Sequence, residues 1–286
     1  MPDKLLICTD LDRTLLPNGP QPESAMARQY FSALVERSEI MLAYVSGRHR
    51  KLVQEAINHY LLPKPDFVIG DVGTTIYHIG KSEDWHRQSA WEDSIASDWG
   101  GKSHADLKLM LNDMDGLRLQ EPDKQNCLKL SYYVPLHGNH KALNALIEQR
   151  FSDAGVKAGL VWSEDELAGV GLLDILPARA SKFYAIKALM KTHGFDERHT
   201  VFCGDSGNDI EVLVSPIPAV LVANSQPDVR ERALRLSRAK DLSEQLYIAK
   251  GDFAGMNGNY SAGMLEGIAH YYPPTRQWMG LDSGDK

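Results

Sequence analysis

"LLICTDLDRTLLPNG", Leu5 to Gly19, joins an apolar run, Leu5-Leu6-Ile7-Cys8, to two carboxylates two residues apart, Asp10 and Asp12, and then to Thr14. An unbroken apolar run suits a strand buried on both faces, as in a parallel sheet. Carboxylates at the end of such a strand are costly to bury unless something offsets their desolvation. Two readings compete: an Asp-rich surface turn, or a strand end carrying a metal and phosphate site.

Working outward, the arrangement recurs. The run at 40–45 ends at Ser46-Gly47-Arg48, that at 67–69 at Gly70-Asp71, that at 200–203 at Gly204-Asp205, and that at 219–222 at Ala223-Asn224-Ser225. Helical spacing lies between them, at 23–36 (Met26, Tyr30, Phe31, Leu34), 51–60 and 181–193, the last closed by Gly194. Strand and helix in alternation predict an open α/β sheet, whose ligand site lies beyond the carboxyl ends of the strands. Every polar cluster falls at such an end.

The segment from about 81 to 173 reads differently. Within 127–134, Leu128, Leu130, Tyr132 and Val134 alternate with Lys129, Ser131 and Tyr133, the pattern of a strand buried on one face. Helical patterns at 103–114 and 140–154 flank it. We expect an inserted domain at 81–173, a small sheet with helices on one face, and a core of 1–80 and 174–286. Trp85, Trp91 and Trp99 fall in the insert and suit packing more than sugar stacking. The polar tail after Pro273-Pro274 is expected to fray.

The net charge of −7 over 286 residues argues against general nucleic-acid binding. No run is long enough for a membrane span, and no signal-peptide pattern is visible. Cys8, Cys127 and Cys203 form no CxxC pair, which suits neither a disulfide framework nor a zinc site. A cytoplasmic location is expected.

The residue chemistry sharpens the metal and phosphate reading. Asp10 and Asp12, two residues apart on a strand end, point the same way and can share a cation. Magnesium suits a few carboxylates with phosphate oxygens. Asp10 is then a candidate nucleophile and Asp12 a candidate acid and base, oriented by Thr14. Ser46 and Gly47 offer a phosphate cradle, with Arg48 pointing to solvent or to a carboxylate. Lys182, oddly cationic for a helix start, is a candidate to neutralise phosphate. Gly204-Asp205-Ser206-Gly207-Asn208-Asp209 brings Asp205 as a metal ligand, Asn208 as a phosphate donor, and Asp209 as a ligand through water or a brace for its loop.

These four clusters, in this order, resemble the haloacid dehalogenase-like phosphohydrolase superfamily. "GDSGNDIEVL", "DILPARASK", "VGTTIYH", "LKLSYYV", "VANSQPDV" and "GMLEGIAHYY" narrow the resemblance to the sucrose-phosphate phosphatase family, over most of the chain. It implies a Rossmann-like parallel-sheet core with an inserted α/β cap, and Mg2+-dependent hydrolysis of sucrose 6-phosphate through a phosphoaspartate. Asp10, Asp12 and Lys182 are the implied catalytic residues; Asp10, Asp12, Asp205 and Asp209 the metal residues. Thr14, Ser46, Gly47 and Asn208 are implied on the phosphate side, and Lys129, Ser131 and Asp174 on the sugar side. The implied partner is a small-molecule sugar phosphate, with the synthase that makes it a further candidate, and neither nucleic acid nor membrane. The competing readings are a phosphatase of mannosylfructose phosphate or glucosylglycerol phosphate, a phosphosugar mutase, and a non-catalytic sugar-phosphate binding module. Arg13 stands where many relatives have Asn or Gly, a position that mainly contributes backbone. Residues 163–171 make a longer loop than the family's, with a bearing on which disaccharide fits.

Overall fold

A computed structural model of the chain describes residues 4–165 and 168–281. The strands in chain order are β1 Leu5–Thr9, β2 Ile40–Val45, β3 Phe67–Gly70, β4 Thr75–Ile79, β5 Trp85–Arg87, β6 Arg118–Leu119, β7 Leu130–Val134, β8 Ala158–Asp165, β9 Val170–Pro177, β10 Thr200–Gly204, β11 Ala219–Leu221 and β12 Leu246–Ile248. The main helices are α1 Ala27–Val35, α2 Arg50–Tyr60, α3 Ser89–Ala96, α4 His104–Met110, α5 His140–Asp153, α6 Lys182–His193, α7 Ile210–Leu213, α8 Pro227–Ala239 and α9 Ser261–Tyr271.

The core is an eight-stranded sheet in the order β12-β11-β10-β1-β2-β3-β4-β5. Strands β12 to β3 run parallel, whereas β4 and β5 turn back antiparallel at one edge, so the sheet is mixed rather than purely parallel. All residues of β1 and β10 are buried, because helices cover both faces. Phe31 and Leu34 of α1, Val53 of α2 and Met264 and Leu265 of α9 fill one side. Ala185, Ile186 and Leu189 of α6, with Val212 and Leu213 of α7 and Ala233 of α8, fill the other. The expected helix at 23–36 starts later, at Ala27.

The second sheet has the order β6-β7-β9-β8 and is antiparallel. Leu130, Tyr132, Val134, Leu173 and Ile175 form its buried face, packed with Ile95, Leu107, Ile147 and Phe151 from α3, α4 and α5. The alternation read from 127–134 holds: Ser131 and Tyr133 take the other face. The two sheets exchange strands later than residues 81 and 173: β5 still pairs with β4 in the core sheet, and β9 carries the cap sheet to Pro177. Of the three tryptophans, Trp91 and Trp99 share the apolar cluster of the cap and Trp85 packs on the core instead. Trp85 lies on β5, Trp91 donates to the Gly73 carbonyl at 3.0 Å, and Trp99 is buried in the cap. After Pro274 the chain forms a short helix, Thr275–Trp278, and Met279 is buried against the core, because its side chain has apolar surface to cover.

Candidate active site

Adjacent parallel strands β1 and β10 bring two carboxylates to one end of the sheet. The Asp10 amide donates to the Cys203 carbonyl at 2.9 Å, which sets Asp10 beside the loop that begins at Asp205. One oxygen each from Asp10, Asp205 and Asp209 lie within 4.8 Å of one another, and all three residues are buried. The Lys182 ammonium reaches into this group, 3.0 Å from Asp10 Oδ1, 2.7 Å from Asp209 Oδ1 and 3.0 Å from Asn208 Oδ1.

Local sequence explains each placement. Ser181 caps α6, its hydroxyl accepting from the Tyr184 amide at 3.3 Å, so the helix begins at Lys182. A cation at a helix start opposes the macrodipole, and the carboxylates around it offset that cost. Gly73, at φ +95°, lets the loop after β3 press on this helix start; a Cβ there would lie 2.5 Å from the Ser181 carbonyl carbon. The Asp209 carboxylate folds back under its own loop, its Oδ2 accepting from the Asp205 and Ser206 amides at 3.1 Å each. It fits because residue 204 is glycine: a Cβ would sit 2.6 Å from that same oxygen.

The electrostatics follow from three buried carboxylates facing one ammonium. Burial pushes the Asp10 carboxyl well above the usual carboxylate range; Lys182 pulls it back only in part, while Asp209 and Asp205 push it further up. Burial raises Asp205 to about 7, with Asp209 adding to the rise and Lys182, Arg13 and Thr14 opposing it. Burial alone would lower Lys182, but Asp10 and Asp209 outweigh it and keep the group cationic. The surplus of negative charge and the all-oxygen donor set fit a hard divalent cation. Asp10, Asp205 and Asp209 are the residues that would hold it.

The Asp12 carboxylate, expected among the metal ligands, lies outside this group. Arg48 grips it with a two-point fork, Nη2 to Oδ1 at 2.6 Å and Nε to Oδ2 at 2.8 Å, and Asn18 Nδ2 adds a bond of 2.7 Å. Burial raises Asp12, but the Arg48 bonds and charge prevail and hold it below the usual range. Thr14 does not orient Asp12 either. Its hydroxyl donates to Asp205 Oδ1 at 3.3 Å, because the turn after Leu11 points it back toward β10. The Ser46 hydroxyl is buried and accepts from the Arg48 amide at 3.2 Å.

A cleft of about 420 Å³ separates core and cap. Asp10, Gly47, Arg48, Asp205 and Asn208 line one wall; Gln120, Lys124, Lys129, Ser163, Leu172 and Asp174 line the other. Ser131 is fully buried and donates to Asp174 across the β7–β9 pair. Lys129 pairs with Asp71 of the core, Nζ to Oδ1 at 3.5 Å, and Asn126 Nδ2 donates to Thr74 Oγ1 at 3.0 Å. Sequence reasoning gave Asp71 no role, although its Gly70-Asp71 strand end was visible; what it lacked was the left-handed backbone at Asp71 and Val72 that aims the loop at the cap. The expected loop at 163–171 is mostly paired strand, since β8 runs to Asp165 and β9 starts at Val170, and residues 166–167 lie outside the described residues.

Fold and site together define a haloacid dehalogenase-like phosphohydrolase, an enzyme that hydrolyses phosphoric monoesters. Residues 3–272 match the model of the sucrose-6F-phosphate phosphohydrolase family, and the chain belongs to that family. A protein of Nitrosococcus oceani with the description "Putative HAD-like hydrolase" is 53% identical over 279 residues, covering 98% of this chain and 75% of that protein. Sucrose-phosphatase 1 of Nicotiana tabacum is 27% identical over 94% of this chain, which spans 59% of the tobacco protein. Mannosylfructose-phosphate phosphatase of Agrobacterium fabrum is 29% identical over 93% of this chain and 96% of its own length. Among solved structures, the sucrose-phosphatase of Synechocystis sp. PCC6803, in complex with sucrose and phosphate, shares the fold at a TM-score of 0.72 and 24% identity, over 94% of this chain and 98% of that one.

Proposed function

We propose that the protein is a magnesium-dependent sugar-phosphate phosphatase that hydrolyses sucrose 6-phosphate to sucrose and phosphate. The observation that carries this reading is the state of the cap wall. Its polar side chains face the carboxylate cluster, yet its cations are already paired: Lys129 with Asp71, and Lys124 with Tyr133 and Glu121. Such a wall suits an uncharged polyhydroxyl group rather than a second anion.

Asp10, Asp205 and Asp209 would hold magnesium, which when bound would supply positive charge to the phosphoryl oxygens. Lys182 adds its charge beside Asp10. Asn208 accepts from Lys182 and Ser206 through Oδ1, which leaves its amide NH2 to donate to phosphate. Ser46 and Gly47 complete the cradle. Asp10 attacks phosphorus, the bond to the sugar oxygen breaks, and Asp12 gives that oxygen its proton. Water then attacks the aspartyl phosphate, Asp12 takes a proton from it, and Asp10 and phosphate are released. Arg48 holds Asp12 ionised, the form needed for the second half; it must let go for Asp12 to carry the proton of the first. Lys129 and Asp174, which line the cleft, receive the sugar hydroxyls by exchanging their present partners; Ser131, expected beside them, is buried behind the wall and holds Asp174.

A second reading, mannosylfructose phosphate as substrate, is favoured by the near-complete length match to the Agrobacterium fabrum enzyme. A cytoplasmic setting, and a synthase that supplies the phosphorylated disaccharide as partner, belong to the same proposal. The test is phosphate release with Mg2+ from sucrose 6-phosphate, mannosylfructose phosphate, glucosylglycerol phosphate and fructose 6-phosphate. Preference for the first is expected. Preference for another member moves the substrate and keeps the chemistry. An isomerised sugar phosphate without free phosphate replaces the phosphatase with a mutase.

A further inference from the structure

Arg13 departs from the family pattern, and its surroundings give the departure a use. The residue adopts a left-handed backbone, φ +58°, a conformation uncommon for a long side chain. Three contacts hold it there. The Arg13 amide donates to Asn18 Oδ1 at 2.8 Å, its carbonyl accepts from Asn224 Nδ2 at 2.7 Å, and its Nη2 donates to the Asn224 carbonyl at 3.4 Å. With the backbone fixed, the guanidinium is delivered to the cluster. Nε lies 3.6 Å from Asp205 Oδ2, beyond a hydrogen bond, and is buried without a hydrogen-bond partner. Among the neighbouring cations, Arg48, Lys124 and Lys129 pair with Asp12, Glu121 and Asp71, carboxylates outside the metal group, and Lys182 hydrogen-bonds Asp209 directly and lies 3.0 Å from Asp10, whereas Arg13 approaches Asp205 without a hydrogen bond. Arg13 is held loosely, on a carboxylate a cation would claim.

We propose that Arg13 is an exchanging cation: it balances Asp205 while the metal site is empty, and transfers to the substrate's phosphoryl oxygens when a divalent ion takes Asp205. The inference rests on the phosphatase reading of this cluster. Guanidinium stays charged across the working pH range, so it competes with the ion for Asp205 at every pH. Arg13 lines the cleft together with Asp10, Ser206 and Asn208, and its side chain is 31% exposed, so the released fork has the substrate space before it. Planar guanidinium matches phosphate oxygens in a two-point contact that a lysine cannot reproduce. By linkage, an arginine that opposes the metal alone and favours phosphate couples the two ligands positively.

The experiment uses the whole chain, Mn2+ as an oxygen-seeking probe followed by the electron paramagnetic resonance of the free ion, and inorganic phosphate as the second ligand. The variants are R13N and R13K. Asn tolerates the left-handed backbone, so R13N keeps the turn while removing the charge. We expect R13N to bind Mn2+ roughly tenfold tighter than the unmodified protein without phosphate, the size of effect one nearby charge exerts. We expect it to bind phosphate roughly tenfold more weakly at saturating Mn2+. R13K, which keeps the charge and loses the fork, should retain the metal affinity and lose the phosphate affinity. Unchanged or weaker Mn2+ binding by R13N, or unchanged phosphate binding, would overturn the proposal while leaving the phosphatase reading intact. No Mn2+ binding by the unmodified protein would remove the metal reading itself, and the proposal with it.

Discussion

The two walls of the cleft bury comparable polar groups but hold them by different means. On the core wall, Asp10 and Asp205 follow directly from neighbouring strands of one parallel sheet, and Asp209 is fixed by main-chain amides four and three residues before it. On the cap side, Lys129 and Ser131 are as well buried; Lys129 leans on Asp71 across the cleft, and Ser131, behind the wall, on Asp174 of the next strand, on the Gln125 side chain and on the Lys124 carbonyl. Backbone-held groups return to one geometry, whereas side-chain partners can be exchanged for substrate hydroxyls. The core wall thus suits fixed phosphoryl chemistry, and the cap wall suits recognition that different substrates can tune.

The largest effect should come from the core wall. Asp10→Asn removes the attacking oxygen and should lower turnover by about 10⁴-fold or more, measured as phosphate release, with the fold retained. Turnover near that of the unmodified protein would break the comparison at its centre, because the backbone-held group would then not be the reacting one.

A second effect separates the walls by pH. Without metal, burial and the neighbouring Asp209 push the Asp205 carboxyl up from its ordinary 3.8 to about 7. The native state then holds more protons than the unfolded chain between those values, so stability is greatest at the acid end of that window and falls as pH rises through about 7. Divalent metal favours the ionised carboxylates and should flatten this fall. Thermal midpoints from pH 4.5 to 8, with a chelator and with Mg2+, test it; a midpoint that climbs with pH in chelator would show the cluster to be balanced without metal.

The smallest effect belongs to the cap wall. Ser131→Ala removes the hydroxyl that holds Asp174 and should raise KM for the preferred sugar phosphate by roughly fivefold, with kcat little changed, since the sugar contact that Asp174 makes serves ground and transition states equally. A fall in kcat with unchanged KM would place Ser131 in the chemistry and sharpen the contrast in the opposite sense.

Much of this was legible beforehand. The apolar runs announced β1, β2, β3 and β10, and polar residues at their carboxyl ends announced the end of the sheet where Asp10, Asp205 and Asp209 gather. The 127–134 alternation correctly set the apolar face of the cap strand, but of the opposite residues only Lys129 reaches the cleft. What was not legible were pairings between distant residues: Asp12 with Arg48, Thr14 with Asp205, Lys129 with Asp71. Arg13 shows why. Its residue type suggested a neutral variation, and only its φ and its anchoring to Asn18 and Asn224 turn the side chain toward the cluster.

The sequence by itself determined which groups end each strand, because burial of apolar runs fixes strands and their polar ends locally, within a few residues. It thereby determined the class of chemistry. Only the tertiary structure decided which carboxylates gather into one buried group that could hold a cation and which are held by arginine. Those choices depend on side-chain directions and on charges brought within a few ångströms by β1, β2 and β10, and electrostatic energy in a buried site is set by such distances rather than by order along the chain.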